Sequence, residues 1–148
     1  MCIHLTEPLV FRETSDYSAM RRLALASGLE DGTFDGYVAS FGFFRDQELV
    51  ACSALRIKDG QYTVECLAVE RGLRGRGIGT TLVRRVEEEA RVRGGKRLWV
   101  VARVPGFFEK MGFVRKSVDE PGGPNLEACR SCRQYLRTCE PAILKKDL

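Results

Sequence analysis

The spacing of apolar positions changes sharply within residues 64–95. An apolar run over 64–69, interrupted by Glu65, is typical of a buried strand. It is followed by glycines too closely spaced for a pleated ladder: Gly72, Gly75, Gly77 and Gly79. Apolar residues then recur three and four positions apart, which places them on one helix face: Ile78, Leu82, Val83, Val86 and Ala90. The pattern predicts a strand, a glycine-rich turn, and a helix that begins near Ile78 and ends at Gly94-Gly95.

The flanking segments alternate between strand and helix signals. Before the glycine-rich turn we expect a strand at 10–12, a helix capped by Thr14 or Ser15, and three strands at 37–45, 49–57 and 61–69. The last two of these strands meet at Lys58-Asp59-Gly60, a strong turn signal. After the long helix we expect a strand at 98–101, a short helix within 104–113 and two final strands at 113–118 and 141–146. This order predicts an α+β fold whose sheet changes from antiparallel to parallel pairing partway across.

Length and composition suit a single globular domain. The chain has 148 residues, of which 44% are hydrophobic. No stretch approaches the roughly 18 consecutive apolar residues of a membrane span, and the first residues lack the basic start and apolar core of a secretory leader. We therefore expect a cytoplasmic protein without membrane contact. Its six cysteines are expected to be thiols in a reducing compartment, or metal ligands.

Positive charge is concentrated around the glycine-rich turn. The net charge of the whole chain is +4, whereas residues 71–97 hold nine basic and three acidic side chains, a local net of +6. No aromatic residue lies in this segment before Trp99, although nucleic-acid-binding surfaces interleave aromatic stacking platforms with basic side chains. The segment therefore favours a small polyanion over nucleic acid as a partner.

The glycine-rich turn has the layout of a phosphate-binding site. The first N–H groups of a helix have no internal partner and attract anions, so the amides from Gly75 to Thr80 can wrap a pyrophosphate. The turn lacks the GxxxxGK[ST] pattern of a Walker loop, and Thr80 stands where the last glycine of GxGxxG is required. Arg74-Gly-Arg-Gly-Ile-Gly79 instead matches R/Q-x-x-G-x-G/A.

With a strand before it and an amphipathic helix after it, this hexapeptide resembles the acetyl-CoA signature of the GNAT N-acetyltransferase family. A second stretch, Phe107-Phe-Glu-Lys-Met-Gly-Phe113, is similar to F-Y-E-K-x-G-F of that family. The resemblance implies the GNAT fold, a mixed antiparallel and parallel sheet of about seven strands flanked by helices. It also implies a single N-acetyltransferase domain over 1–148, with a Cys-containing insertion at about 119–140 between two final strands that pair as an antiparallel hairpin.

Acetyl-CoA is the cosubstrate that this resemblance implies. Matching the motifs residue by residue assigns its binding to the strand, the turn, the start of the long helix and one residue of the short helix: Leu67, Ala68, Val69, Arg74, Gly75, Arg76, Gly77, Ile78, Gly79, Thr80 and Phe108. In the family the strand before the turn commonly bulges, and its backbone then binds pantetheine and aims the thioester carbonyl. The implied reaction is direct attack on acetyl-CoA by the primary amine of a small molecule.

Glu65 is predicted to be the catalytic base. It is the only charged side chain of its strand before the turn, and it alternates with Thr63 and Leu67, so all three are expected to point to one face. Some family members use a carboxylate at this position to draw a proton through water. The other interpretation is a structural carboxylate paired with Arg56 on the neighbouring strand.

Phe108 stands where the family usually has a tyrosine that protonates the departing CoA thiolate. A phenyl ring carries no proton to give, so water or another tyrosine must serve. Several stretches also resemble the acetyltransferase domain of N-acetylglutamate synthases, namely Ala51-Cys-Ser-Ala-Leu-Arg56, Glu65–Val69 and Phe108 itself. That resemblance suggests a free amino acid as acceptor, with Arg56 or Arg103 available for its carboxylate, while the loops that would select it, 29–36 and 119–140, carry no recognised motif.

Cys129, Cys132 and Cys139 leave three interpretations open. Their spacing supplies three thiolates for a zinc ion, but a fourth ligand is missing and no metal is assigned. Free thiols and a regulatory disulfide are the alternatives. Together with Phe108, these cysteines support a second hypothesis for the chain, a non-catalytic acyl-CoA-binding or thiol- or metal-sensing module. The oligomeric state is left open between a monomer and a homodimer.

Overall fold

The computed structural model describes residues 8–29, 34–124, 126, 136 and 140–148. Its helices and strands follow in the order β1 (Leu9–Glu13), α1 (Tyr17–Ala26), β2 (Tyr37–Arg45), β3 (Glu48–Lys58), β4 (Gln61–Val69), α2 (Ile78–Val92), β5 (Arg97–Ala102), α3 (Pro105–Lys110), β6 (Val114–Lys116) and β7 (Ala142–Asp147). A short 3₁₀ turn at Arg71–Leu73 lies between β4 and α2. The predicted elements are present, and α2 begins at the predicted residue.

The strands of the described residues form one seven-stranded sheet in the order β1-β2-β3-β4-β5-β7-β6. Its neighbouring strands are antiparallel except for β4 and β5. These two are parallel and share a single bridge, Thr63 with Trp99, which lies near the start of each strand. Past that bridge the two strands diverge. The predicted change from antiparallel to parallel pairing therefore coincides with a cleft in the middle of the sheet.

Helices cover both faces of the sheet. The face under α2 is a buried apolar layer, in which the predicted helix face packs against strands β2 to β5 through Leu82, Val83, Val86, Phe41, Val50, Leu55, Val64 and Leu98. A smaller layer lies under α1 and is centred on Met20, which is fully buried with Cys52, Ala54 and Ala68. The spacing that predicts α2 thus corresponds to its buried face.

The start of α1 differs from the prediction. Asp16 is the N-cap, and its carboxylate Oδ1 accepts a hydrogen bond from the Ala19 N–H at 3.0 Å. Thr14, one of the two predicted caps, instead accepts from the Asp16 N–H through Oγ1 at 3.1 Å. A carboxylate at this position is favoured over a hydroxyl because it also lies at the positive end of the helix dipole.

The last two strands pair antiparallel, as predicted, with β7 between β5 and β6. The expectations for Cys129, Cys132 and Cys139 lie outside the described residues. Within the described part of the chain, no cluster of three or more His, Cys, Asp or Glu side chains is arranged to hold a metal ion. No helix described there combines the length and the hydrophobicity needed to cross a membrane.

A buried ion pair ties α2 to β7. Glu87 is only 4% exposed although it is charged. The Lys146 Nζ lies 3.0 Å from its Oε1 and also donates to the Met111 carbonyl at 2.8 Å. Arg91, one helical turn further on, approaches the other oxygen of Glu87 only to 3.8 Å. Lys146 is therefore the main partner of a carboxylate that water reaches poorly.

Lys146→Ala is expected to lower the free energy of unfolding by roughly 2–4 kcal/mol, because it leaves a buried carboxylate and a carbonyl without their donor. Urea denaturation measures this change. Lys145→Ala, at the preceding position of β7, is the matched control and should cost less than about 1 kcal/mol. Equal losses in the two variants would show that the Lys146–Glu87 pair does not stabilise the packing of α2 on the sheet.

Candidate active site

The cleft between β4 and β5 opens into a cavity of about 1010 Å³. One half of its wall consists of the end of β4, the glycine-rich turn, the start of α2, and α3. This half contains all the predicted cofactor-binding residues except Arg76: Leu67, Ala68, Val69, Arg74, Gly75, Gly77, Ile78, Gly79, Thr80 and Phe108. Arg76 instead lines a smaller neighbouring hollow together with Arg45 and Arg71. Glu65, the predicted base, also lines the main cavity.

The register of β3 and β4 shows a β-bulge beside the cavity. Cys52 pairs with Ala68, and two residues further along β3, Ala54 pairs with Glu65, so β4 contains one residue more than β3. Cys66, within the bulge, takes a φ of 53°. Residues other than glycine seldom adopt this left-handed conformation, and bulges bend the strand that carries them. The bulge implied by the sequence resemblance is therefore present, and it lies where β4 leaves β5.

Side chains of β3 hold this bulge in place. The Ser53 hydroxyl donates to the Glu65 carbonyl at 3.1 Å, and the Cys52 thiol donates to the Cys66 carbonyl at 3.4 Å. Both donors are fully buried, so water does not compete for these carbonyls. The side chains of β3 thus stabilise the bulge on one side, and its other side faces the cavity.

The bulge also corrects one prediction about the faces of β4. Leu67 packs into the apolar layer under α2 together with Val64, whereas Cys66 packs into the layer under α1. Glu65 follows Val64 in regular alternation and so lies on the opposite face from Leu67. The expectation that Glu65 and Leu67 share a face is wrong because the extra residue shifts the alternation by one position.

The glycine-rich turn presents backbone to the cavity. Gly75 and Gly77 have φ values of 81° and 77°, and Gly77 is the N-cap of α2 without any side-chain capping bond. No atom lies within 4 Å of where a Cβ would stand at either residue, so both positions are open. Arg74 fixes the start of the turn, since its Nε donates to the Val69 carbonyl at 3.2 Å. The arrangement leaves the first amides of α2 available to an anion.

Phe108 forms part of an aromatic cluster in α3. It is 6% exposed, and its ring packs edge-on against Phe107 at 5.0 Å and Phe113 at 5.4 Å between centroids. Its contribution to the cavity wall is therefore apolar. Nothing in this position can exchange a proton with a bound molecule.

Glu65 has the environment of a base whose proton affinity is increased. Its side chain is 33% exposed and lies 3.9 Å from the Arg56 guanidinium, measured from Oε1 to Nη1. Burial raises the pKa of this carboxyl above its ordinary value, and the charge of Arg56 offsets the rise only in part. The ion pair that the sequence suggested as an alternative is thus present, but it is long and does not keep the carboxyl at an ordinary pKa.

The other half of the cavity wall was only partly predicted from the sequence, which pointed to the 29–36 segment and to Arg103. It consists of α1, the segment after α1, the start of β2 and the segment after β5, and includes Arg21, Leu25, Ser27, Leu29, Phe34, Tyr37 and Arg103. Arg103 is anchored there by a bond from Nη1 to the Gly28 carbonyl at 2.6 Å. Arg56 does not line the cavity, and its Nε donates to the Asp35 carbonyl at 2.8 Å. Of the two arginines predicted to bind a carboxylate, only Arg103 lines the cavity.

Among the described residues, Tyr37 is the one tyrosine that lines the cavity. Its ring packs edge-on against Phe34 at 5.1 Å between centroids. Burial, followed by the negative charge of Glu65, raises the pKa of its hydroxyl, which therefore stays protonated at neutral pH. The sequence signal for this residue was weak, since Tyr37 is one of several aromatic residues at the start of a strand.

Comparison with known proteins agrees with this architecture. Residues 6–113 match the model of the acetyltransferase (GNAT) family. An amino-acid acetyltransferase of Ralstonia nicotianae is 36% identical over 87 residues, which cover 56% of this chain and 19% of that protein. Glucosamine 6-phosphate N-acetyltransferase 1 of Oryza sativa subsp. japonica is 42% identical over 57 residues, 37% of this chain and 34% of that protein. The chain thus spans about a third or less of the length of these curated relatives.

The fold is also similar to that of solved structures. N-acetylglutamate synthase from Neisseria gonorrhoeae, complexed with coenzyme A and N-acetyl-glutamate, superposes with a TM-score of 0.71 at 22% identity, over 95% of this chain and 35% of that one. The bulged strand, the glycine-rich turn and the divergent parallel pair define an acyltransferase architecture. Since the family model matches more than two thirds of its length, the chain belongs to the GNAT acetyltransferase family. The predicted family and fold are confirmed.

Proposed function

We propose that this protein transfers the acetyl group of acetyl-CoA to the primary amine of a small molecule that also carries a carboxylate, such as a free amino acid. The observation that carries the proposal is the convergence of three features on one cavity. These are a bulged strand end, a glycine-rich turn that opens a helix, and a carboxylate of raised pKa. The family is one of acetyltransferases, and its model covers the residues that form all three.

Acetyl-CoA is proposed to lie with its pyrophosphate over the turn and its pantetheine arm along the end of β4. The open backbone at Gly75 and Gly77 admits the phosphates, and the dipole of α2 stabilises their charge. Gly79 and Thr80 continue the same wall into the first turn of the helix. Arg76 is proposed to contribute through its amide, because its side chain lines the neighbouring hollow. Phe108 offers an apolar surface to the pantetheine end.

Glu65 is proposed to act as the general base. The amine must lose a proton to attack the thioester carbonyl, and a carboxylate with a raised pKa accepts that proton more readily than an ordinary one. Water reaches Glu65, since a third of its side chain is exposed, and can relay the proton. The carbonyl carbon then forms its bond to nitrogen and breaks its bond to sulfur, and the CoA thiolate takes a proton from water.

The acceptor is proposed to bind in the half of the cavity formed by α1, β2 and the segment after β5. Arg103 is held there by the Gly28 carbonyl, and Arg21 lines the same half, so this half of the cavity carries positive charge. A molecule with an amine and a carboxylate matches this polarity. The similarity to an amino-acid acetyltransferase supports the same choice. We also propose that residues 1–148 form a single acetyltransferase domain and that the protein is cytoplasmic, the latter in keeping with its free Cys52 and Cys66 thiols.

Phe108 favours a second candidate function, a non-catalytic acyl-CoA-binding module, because the usual proton donor is missing. Turnover separates the two. The assay supplies acetyl-CoA with each of a panel of amino acids and, in parallel, with the matched amine that lacks the carboxylate. We expect the amino acids to cause release of free CoA. The matched amines should have a KM raised at least about tenfold, because they lose the arginine contacts.

A rise in melting temperature with acetyl-CoA, but no turnover with any amine, would support the binding module instead. No rise at millimolar ligand would refute the proposed CoA site. Turnover that is indifferent to the carboxylate would leave acetyl transfer standing and refute the proposed acceptor class.

Gly79→Leu is expected to weaken CoA binding at least about tenfold without unfolding the protein. A side chain at this position projects into the cavity beside the first amides of α2, and its Cβ meets Phe107 at a tolerable 3.4 Å. Calorimetric titration with CoA measures the affinity, and a thermal melt without ligand checks the fold. Thr81→Leu, in the same helical turn but outside the cavity wall, is the control and should bind normally. Equal affinity in the two variants would refute the assigned cradle.

Glu65→Gln is expected to lower kcat by about 100-fold or more, with the largest effect at pH values where the amine is protonated. In the wild type, kcat/KM should fall as the pH drops through the raised pKa of Glu65, because the base becomes protonated. The variant should lack this dependence. Glu70→Gln, whose carboxylate pairs with Arg45 beyond the end of β4, is the matched control.

The stability of Glu65→Gln shows whether any lost activity reflects unfolding. A raised folded-state pKa means that the native protein binds the proton at higher pH than the unfolded chain, so this carboxyl destabilises the fold as the pH rises. The glutamine variant should therefore be at least as stable as the wild type at pH 7, with an advantage that shrinks at acidic pH. An unchanged pH–rate profile in the variant would favour a structural role for Glu65 with Arg56.

A further inference from the structure

We propose that Cys66 and Cys52 form a peroxide-reactive thiol pair in the cleft, in which Cys66 reacts first and Cys52 then closes a disulfide. Both cysteines are free thiols. They lie on adjacent strands and pack into the same small apolar layer under α1. No step of the proposed acetyl transfer uses either thiol, so their chemistry is a separate property of the site.

The two thiols differ in access, and this difference assigns their roles. Cys52 is fully buried, whereas Cys66 is partly exposed and lines the cavity of about 1010 Å³. A small oxidant that enters the cavity therefore meets Cys66 and not Cys52. Reactive cysteines are typically accessible and lie next to a second, resolving cysteine.

The contact between the two residues is direct. The Cys52 thiol donates to the Cys66 carbonyl at 3.4 Å, so the buried sulfur lies against the bulge that carries Cys66. Hydrogen bonding between the two thiols lowers the pKa of Cys66 and, together with burial, raises that of Cys52. These opposite shifts of the two pKa values agree with the difference in access, because thiolate is the form that attacks a peroxide.

The reaction balances with hydrogen peroxide as the oxidant. The Cys66 thiolate attacks one peroxide oxygen, the O–O bond breaks, and the departing hydroxide takes a proton to become water. Cys66 is then a sulfenic acid. Cys52 gives up its proton and attacks the Cys66 sulfur, which forms the S–S bond and releases the second water. Two thiols are oxidised to one disulfide while one peroxide is reduced to two waters.

The disulfide would act on the part of β4 that the proposed acetyl transfer depends on. It fixes Cys66 to β3 and removes the thiol that holds the Cys66 carbonyl, so the bulge must adopt a new geometry. We expect oxidation to weaken CoA binding at least about tenfold and a thiol reductant to restore it. This consequence rests on the proposed function, whereas the thiol chemistry does not.

Trypsin separates the two cysteines, which makes the pair directly observable. Cleavage after Arg45, Arg56, Lys58 and Arg71 places Cys52 and Cys66 in different peptides, 46–56 and 59–71. Folded wild-type protein is treated with hydrogen peroxide, blocked with a thiol-alkylating reagent and digested without reduction. We expect a mass equal to the two peptides joined, less two hydrogens, that disappears on treatment with dithiothreitol.

Two variants distinguish the roles of the thiols. In Cys52→Ala, Cys66 should proceed to sulfinic acid, which dithiothreitol does not reverse, because no resolving thiol remains. In Cys66→Ser, Cys52 should stay reduced because it is buried. Absence of the joined peptides in folded wild-type protein would overturn the proposal, as would oxidation of Cys52 in Cys66→Ser at the wild-type rate. The peptide map of the wild-type protein tests for the disulfide even where a variant does not fold. A joined peptide without loss of CoA binding would refute only the proposed effect of the disulfide on CoA binding.

Discussion

The extra residue in β4 is the constraint on which the cleft depends. A regular strand would continue its ladder with β5, and its side chains would keep alternating to the end. The bulge at Cys66 bends β4 away from that course, and the parallel pairing stops after the Thr63–Trp99 bridge. A left-handed cysteine costs roughly 1–3 kcal/mol in backbone strain. The bonds from Ser53 and Cys52 to the bulge carbonyls offset part of that cost, so β3 is as necessary to the site as β4.

The same bulge separates Glu65 from Leu67. Glu65 alternates with Val64, so its carboxylate lies on the α1 side of the sheet, near Tyr37 and Arg56, whereas the extra residue places Leu67 on the α2 side. The surroundings of the Glu65 carboxylate are apolar enough to raise its pKa but still let water reach it. A shorter ion pair with Arg56 would hold the carboxylate more firmly and lower its proton affinity. Arg56 is instead drawn toward the Asp35 carbonyl, which leaves Glu65 able to accept a proton.

The sequence predicted the elements well because their signals are local. The period of the apolar positions in α2, the Lys58-Asp59-Gly60 turn and the glycine pattern all report short-range backbone preferences, and the structure contains each of them. The family motif predicted residues of the glycine-rich turn that line one half of the cavity for the same reason, since they are close together in the chain. Arg76 is the exception, because motif spacing places its amide but not its side chain.

What the sequence could not predict depends on contacts between distant segments. The half of the cavity in which the acceptor is proposed to bind joins α1, the start of β2 and the segment after β5, which are up to 82 residues apart from Arg21 to Arg103. No spacing rule relates these positions. The choice between Arg56 and Arg103 likewise depended on which backbone carbonyl each guanidinium reaches, Asp35 or Gly28. The N-cap of α1 was predicted wrongly for a local reason. Thr14, Ser15 and Asp16 are all good N-cap residues, and only the backbone geometry decides among them.

Phe108 shows how local sequence motifs and contacts between distant segments combine. Its position in the motif suggests a missing proton donor, and the structure confirms that its ring packs between Phe107 and Phe113. The same cavity, however, contains a tyrosine from a different element. The hydroxyl of Tyr37 is kept protonated by burial and, to a lesser extent, by the charge of Glu65, so it is a weaker acid than an ordinary tyrosine and gives up its proton to a thiolate less readily. Protonation of Glu65 by the amine would remove only the smaller of these two effects, because Tyr37 stays buried. In the proposed reaction, water is therefore the better donor to the thiolate, since it reaches the cavity at Glu65, and the loss of the tyrosine at position 108 does not by itself argue against catalysis.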